Sequence, residues 1–309
     1  MKNTHIEHPE DSILTGDLSV LDWFVTESNI SAKIDGAPAI VWGTNPATGN
    51  FFVGTKSVFN KVKIKINESH EDIDTNHQGN VATILHKCFD NLPRTDHIFQ
   101  GDFVGFGGND NYTPNTITYY FDEIIDANII IAPHTIYSAK SDLRDAIAQP
   151  ISYTEFIRYT LDDEFDENCV YWLSPVVMLD DDRHTINNSC NFARQIATLC
   201  DFVDVKKATR IKKQLNRCIR NEVEVDDLLL DAIADDNNCD INVLRLWKLV
   251  ESIKLDMFNY IVRCDDVECY IGESMCDHEG YVISNEFGTY KVINRDVFSY
   301  FNFTKEKTW

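Results

Sequence analysis

The sequence contains no C-x-x-C pair, no internal repeat and no apolar run near the ~18 to 20 residues that cross a membrane. Its first residues, MKNTHIEHPEDS, lack the apolar core of a secretory signal. These absences predict a cytoplasmic protein with no membrane partner, whose nine cysteines are reduced. Cys264, Cys269, Cys276 and His278 lie close enough to suggest zinc. Their gaps of four, six and one residues match no standard pair spacing, so ordinary thiols are expected. Basic residues are also scarce. The 28 Lys and Arg against 50 Asp and Glu give a net charge of −22, which argues against broad nonspecific adhesion to nucleic acid. Residues 206–220 (KKATRIKKQLNRCIR) are the exception, with seven basic side chains and no acid, so one localised polyanion contact stays open.

What is present is globular. A hydrophobic content of 43% with 25% charged residues excludes wholesale disorder and low-complexity classes. A length of 309 residues suggests about two domains.

The first ~140 residues read as β-rich. AIVWG (39–43) and FFVGT (51–55) flank the turn formers TNPATGN and predict a hairpin. HIFQGDFVGF (97–106), TITYYF (116–121) and IIIA (129–132) predict further strands, and residues 79–92 have helical apolar spacing. From about 141 to 265 the pattern turns helical in SDLRDAIA, YTEFIRYTLDD, NFARQIATLCDFV, KKATRIKKQLNRCIR and VLRLWKLVESIKLDMFNYIVRC. In the last, Leu246, Val250, Ile253, Met257 and Ile261 would share a face. The acidic runs Asp162–Asp166, Asp180–Asp182 and Asp235–Asp240 read as solvated loops between helices. Strand patterns return in GYVISNEFGTYKVIN, a hairpin with Gly288 near its turn.

The sharpest chemical feature is Ala32-Lys33-Ile34-Asp35-Gly36. A lysine just before a buried strand and an Asp-Gly turn invites a nucleophilic role. Attack requires the neutral amine, hence a pKa brought below the usual ~10.4 by burial or a cationic neighbour. Four more elements follow in fixed order: Gly54-Thr55-Lys56-Ser57, Gln100-Gly101-Asp102-Phe103-Val104, Glu279-Gly280-Tyr281-Val282-Ile283 and Tyr290-Lys291-Val292-Ile293.

The series resembles the motifs of the covalent nucleotidyltransferase superfamily: ATP-dependent DNA ligases, RNA ligases and mRNA capping enzymes. K-I-D-G-A-P-A-I-V and F-F-V-G-T-K-S-V-F-N-K look like a phage-encoded ligase-like group, which would place the chain in a host cytoplasm. The resemblance covers roughly residues 28–140 and 275–296. It implies an α+β fold with ATP-grasp-like antiparallel sheets. The nucleotidyltransferase domain would be 1–140 with 276–309, interrupted by a mainly helical accessory domain at 141–275. Only about a dozen residues follow the last motif, too few for a C-terminal OB domain of ~80 to 100 residues.

The roles follow from the resemblance. Lys33 would attack the α-phosphate of ATP, with Asp35 and Gly36 shaping the turn that presents it. Lys56 would bind ribose or the donor phosphate, and Asp102 would sit near ribose and lysine. Glu279, with Asp102, would engage Mg²⁺ or Mn²⁺, and Lys291 would hold the α-phosphate. The aromatic that stacks on the base in the family would come either from Tyr119–Phe121 or from the IIIAPHTIY strand around His134. Two departures stand out: Asp102 replaces the commoner Glu, and Lys291 is alone where the family has two lysines, with Thr289 or Ile293 in the other place.

These features together imply an ATP-dependent polynucleotide ligase, with RNA ends favoured over nicked DNA as partner. Lys206, Arg210, Lys213 and Arg217 would share one helix face suited to a phosphate backbone, or to the chain's surplus acids. The alternatives are a DNA ligase with a divergent accessory domain, a nucleotidyltransferase that caps RNA or modifies protein, and an inactive nucleotide-binding relative.

Overall fold

A computed structural model describes residues 6–160, 166, 168–180 and 182–304. Short helices α1 (Pro9–Ser12) and α2 (Ser19–Trp23) precede β1 (Asn29–Ala32). The expected hairpin is β2 (Ala39–Thr44) and β3 (Phe51–Gly54), paired antiparallel. Helices α3 (His70–Asn76) and α4 (Gly79–Asn91) lead to β4 (Ile98–Phe106), β5 (Asn111–Tyr112) and β6 (Thr118–Tyr120). Then come β7 (Ile129–Ser138), β8 (Ile147–Pro150), α5 (Tyr153–Thr160), β9 (Val170–Trp172) and β10 (Val177–Leu179).

The helical part comprises α6 (His184–Ala197), α7 (Val205–Arg220), α8 (Asp227–Asn237) and α9 (Ile241–Asp256). It is followed by β11 (Ile261–Arg263), β12 (Glu268–Ile271), β13 (Ser274–Met275), β14 (Tyr281–Asn285), β15 (Gly288–Val292) and α10 (Arg295–Thr304).

The fold is mixed α and β. The largest sheet has the order β3-β2-β4-β7-β8, with β9 pairing parallel to β7. Period-two alternation sends Ile40, Trp42, Phe99 and Ile131 to one face, covered by Ile84, Leu85 and Cys88 of α4. Their neighbours Val41, Phe52, Ile98 and Tyr137 pack on the other face. Two smaller sheets, β1-β14-β15 and β13-β12-β6-β5, share a core with the helices. The 141–275 segment thus contributes β8, β9 and β12 to sheets built with strands of 1–140.

Helix α7 shows how its sequence sets its orientation. The Asp204 side chain caps it by accepting the Lys207 N–H at 2.9 Å. Ala208, Ile211, Leu215 and Ile219 are buried at helical spacing. Burying each of the three larger ones contributes about 1.5–3 kcal/mol relative to exposure.

Several sequence expectations change. SDLRDAIA is no α-helix; it forms a 3₁₀ turn (Leu143–Asp145) and then β8. The Asp142 carboxylate accepts the Arg144 N–H at 2.8 Å, which closes the turn, and the free edge of β7 takes the following residues as a strand. The helix read through 203 ends at Ala197, where the Thr198, Leu199 and Cys200 N–H groups bond three residues back. Met257 is buried on the α9 side as expected, whereas Ile261 opens β11. Asp235 and Asp236 belong to α8 and Asp240 caps α9, so that acidic run is not a loop. Residues 162–165 and 181 of the other two runs lie outside the described residues. Among the described residues, no helix is long and apolar enough to cross a membrane.

Candidate active site

Strand β1 pairs antiparallel with β14, Ala32 opposite Tyr281. The pairing continues one residue further. Lys33 N–H donates to the Gly280 carbonyl at 2.8 Å, and Glu279 N–H donates to the Lys33 carbonyl at 3.0 Å. Two residues 246 positions apart thereby become cross-strand neighbours, and Lys33 Nζ forms an ion pair with Glu279 Oε2. Gly280 makes this turn possible: its φ is +123°, and a Cβ there would lie 2.2 Å from the Val292 carbonyl oxygen.

Asp35 anchors the next stretch. Its carboxylate accepts Asn115 Nδ2 at 2.7 Å, Thr116 N at 2.6 Å and Ile117 N at 3.0 Å. Its own N–H donates to Tyr119 Oη at 2.6 Å. With these hydrogen bonds directed to the 115–119 segment, Asp35 shapes the cleft wall. Gly36 then passes so close to β4 that a Cβ would lie 2.7 Å from Asp102 Cβ. Asp102 faces Ala39 across the β2–β4 ladder. A register shift in the β4–β7 pairing leaves His134 out of the ladder, with Nε2 3.6 Å from Asp102 Oδ2.

These elements enclose a cleft of about 430 Å³ whose lining includes Lys33, Asp35, Lys56, Asp102, Glu279 and Asn302. Its electrostatics reverse one expectation. Burial pulls the Lys33 pKa down, but the Glu279, Asp102 and Asp35 carboxylates outweigh burial and hold it above the ordinary lysine value. Lys33 therefore rests as an ammonium. The depressed lysine is Lys291 of β15, lowered by burial and then by the Lys33 charge. Burial raises the Glu279 pKa against the opposing pull of Lys33, which makes this carboxylate a ready proton acceptor. Burial also works to raise Asp102, yet His134, Lys33 and Lys56 outweigh it and keep the carboxylate ionised.

Residues 3–229 and 227–307 match a family of unknown function, DUF6267. The chain belongs to the DUF6267 family. No curated protein and no solved structure matches it.

In this DUF6267 chain the sequence motifs thus bring Lys33, Asp35, Gly36, Lys56, Asp102 and Glu279 to one cleft, with His134 beside Asp102. Phe121 is elsewhere: it is 9% exposed and packs edge-on against Tyr112 and Tyr171 in the core. Lys206, Arg210, Lys213 and Arg217 lie exposed on α7. Tyr119, one end of the Tyr119–Phe121 alternative for the base, instead accepts the Asp35 N–H through its hydroxyl. Asn115 and Asn302 have no counterpart among the sequence motifs; they come from the segment before β6 and from the C-terminal helix, and nothing local marks them.

His278, at φ +48°, places Nδ1 3.4 Å from Cys269 Sγ and Nε2 3.1 Å from Asp265 Oδ2. Burial pushes Cys269 up to about 11 and Cys276 up to about 12, so both stay thiols. Among the described residues, no three His, Cys, Asp or Glu side chains converge as a metal cluster. Glu279 and Asp102 are carboxylates in the lining of the cleft, the ligand type that a divalent cation takes alongside substrate phosphates.

Proposed function

We propose that this DUF6267 chain is a covalent nucleotidyltransferase that forms a lysyl–AMP on Lys33 and uses it to join polynucleotide ends, as an ATP-dependent RNA ligase does. The observation that carries the reading is the β1–β14 pairing, which delivers Lys33 and Glu279 to a cleft shared with Lys56 and Asp102. The arrangement of these residues supports a ligase-type nucleotidyltransferase architecture with a helical insertion.

In the first step the Lys33 ammonium passes one proton to Glu279, and the resulting amine attacks the α-phosphate of ATP. A P–N bond forms, the bond to the β-phosphate breaks, pyrophosphate leaves with the electron pair, and the nitrogen gives up its second proton to the departing pyrophosphate, leaving the lysyl phosphoramidate. The Lys33–Glu279 contact provides the proton path. Lys56 and Lys291 offset the charge that builds on the phosphate. Glu279 and Asp102 would hold a divalent cation, Mg²⁺ or Mn²⁺, which supplies charge neutralisation to the triphosphate. In the second step a 5′-phosphate oxygen attacks the lysyl–AMP phosphorus, the P–N bond breaks, and the leaving nitrogen takes back one proton from Glu279 and one from solvent to regain the ammonium. In the third, a 3′-hydroxyl attacks the activated 5′-phosphate, loses its proton and releases AMP.

Incubation with α-labelled ATP and Mg²⁺ or Mn²⁺, beside Lys33→Ala, tests the first step by denaturing electrophoresis and intact mass. An adduct of ~329 Da that disappears in the variant is expected. Absence of an adduct from folded protein with either ATP or GTP overturns the reading. Sealing assays on RNA and DNA ends then separate RNA ligase from DNA ligase, and guanylylation would point to capping.

A further inference from the structure

The cationic face of α7 is longer than four residues. Lys206, Arg210, Lys213, Arg217 and Arg220 fall at i, i+4, i+7, i+11 and i+14, and all five are exposed. Among the described residues, no acid forms an ion pair with these five. Among the described residues, the α7 cation with an ion-pair partner is Lys212, which meets Glu7 at 3.0 Å. Arg210 instead donates to the neutral Asn237 Oδ1 at 2.5 Å.

The stripe runs into α10 and, through it, to the cleft. The Arg220 guanidinium lies 5.6 Å from the Phe303 ring centre. The next residue back, Asn302, lines the cleft and reaches Thr116 Oγ1 at 3.4 Å. Phe301 and Phe303 flank Asn302 with 38% and 66% of their surface exposed. Arg295 fixes α10 against α7 by donating to Asn216 Oδ1 at 3.1 Å. A row of cations ending in exposed aromatic rings is the combination that holds a single strand. Cations follow the phosphates, and rings stack on bases whose faces are free. A duplex keeps those faces stacked internally and gains nothing from the phenylalanines.

We propose that α7 and the C-terminal end of α10 form a track for a single-stranded polynucleotide whose 5′-phosphate end enters the cleft past Asn302. This deepens the adenylyl-transfer reading and rests on it for the purpose of delivering that phosphate toward Lys33. The recognising chemistry, phosphate charge and base faces, is shared by RNA and DNA.

The test is fluorescence anisotropy of the full chain without nucleotide, titrated with 5′-phosphorylated single-stranded RNA, single-stranded DNA and a nicked duplex over a range of KCl. Single strands are expected to bind more tightly than the nicked duplex. Phe301→Ala with Phe303→Ala should weaken single-strand binding about five-fold or more. Lys213→Ala, Arg217→Ala and Arg220→Ala combined should reduce the salt slope by roughly 0.7 for each phosphate left without its cation. Equal or tighter binding of the duplex, variants that bind as the parent does, or displacement by polyglutamate as effective as by oligonucleotide would each overturn the track. The same preparation is assayed for the AMP adduct. An adduct without strand binding overturns the track and leaves the nucleotidyltransferase reading standing, whereas strand binding without an adduct does the reverse.

Discussion

Lys254 of α9 and Glu10 of α1 meet with Nζ and Oε1 2.5 Å apart, both wholly buried. Arg295, at the start of α10, pairs with the same Glu10 oxygen and approaches Asp11 at 3.4 Å. Trp247 Nε1 donates to Asp11 Oδ1 at 3.0 Å. One acid thus ties the N-terminal segment, the buried helix α9 and the C-terminal helix together. Burial penalises the Glu10 charge, but Arg295 and Lys254 outweigh that penalty and lower its pKa. The network also fixes the root of the helix that carries Asn302 to the cleft.

Glu10→Leu would strand the buried Lys254 and leave Arg295 with only the longer acidic contacts, to Asp11 at 3.4 Å and Glu251 at 3.9 Å, and is expected to cost about 3–5 kcal/mol. Lys254→Met leaves Glu10 paired with Arg295, so its cost should be smaller. Chemical denaturation of both variants checks the order. A Glu10→Leu protein as stable as the parent would remove the network from the account of how α10 is held.

The Lys33–Glu279 contact gives an electrostatic prediction independent of turnover. Glu279 heads the carboxylates that push the Lys33 pKa up against burial. Glu279→Gln keeps a hydrogen-bond acceptor and removes the charge, so the Lys33 pKa should fall. Asp102→Asn should lower it less, because Asp102 contributes less than Glu279. Reductive ¹³C-methylation followed by NMR titration, with Lys33→Arg to assign the signal, reads both shifts. An unchanged value in Glu279→Gln would mean that the ion pair does not hold the ammonium in solution.

Gly36→Ala isolates the close approach of the lysine turn to β4. Its Cβ would meet Asp102 Cβ at 2.7 Å and the Phe103 carbonyl oxygen at 2.8 Å, neither of which can swing away. A loss of about 1–3 kcal/mol is expected from the overpacking. Denaturation midpoints measure it, and a neutral substitution would show the turn to be looser than this contact requires.

These local features are readable in the sequence because each is enforced locally. Alternation marks β2, β3 and β4, and the Glu-Gly pair marks the turn where only a residue without a side chain can pass Val292. The Asp35 anchor is readable only in half: the Asp-Gly turn is local, whereas the donors to its carboxylate lie 80 to 82 positions away, at the start of a segment whose strand pattern says nothing of Asp35. The same distance effect hides the place of α10 at the cleft, since it depends on Arg295 finding Glu10 across 285 positions. SDLRDAIA misleads for the opposite reason. Its helical spacing is genuine, but the open edge of β7 offers backbone hydrogen bonds that an isolated helical turn could not match.

The segment preceding Glu279 supplies the pH prediction. Asp265 is half-buried, which alone would raise its pKa, but His278 and Arg263 outweigh burial and lower it to about 2 from 3.8. The folded carboxylate thus binds its proton more weakly than the unfolded one. Its stabilisation is fully present above the unfolded value and is lost as pH falls from about 4 through about 2. The shift corresponds to about 2 kcal/mol. Asp265→Asn should therefore lower stability at neutral pH by an amount of that order and flatten the fall in stability between pH 4 and 2. Denaturation midpoints of the parent and variant across this interval test it. Because His278 directly precedes Glu279, loosening its contacts to Asp265 and Cys269 should also reduce AMP-adduct formation before the protein unfolds globally. An Asp265→Asn protein with the parent's acid profile would show that the pairing of Asp265 with His278 and Arg263 does not set the acid limb.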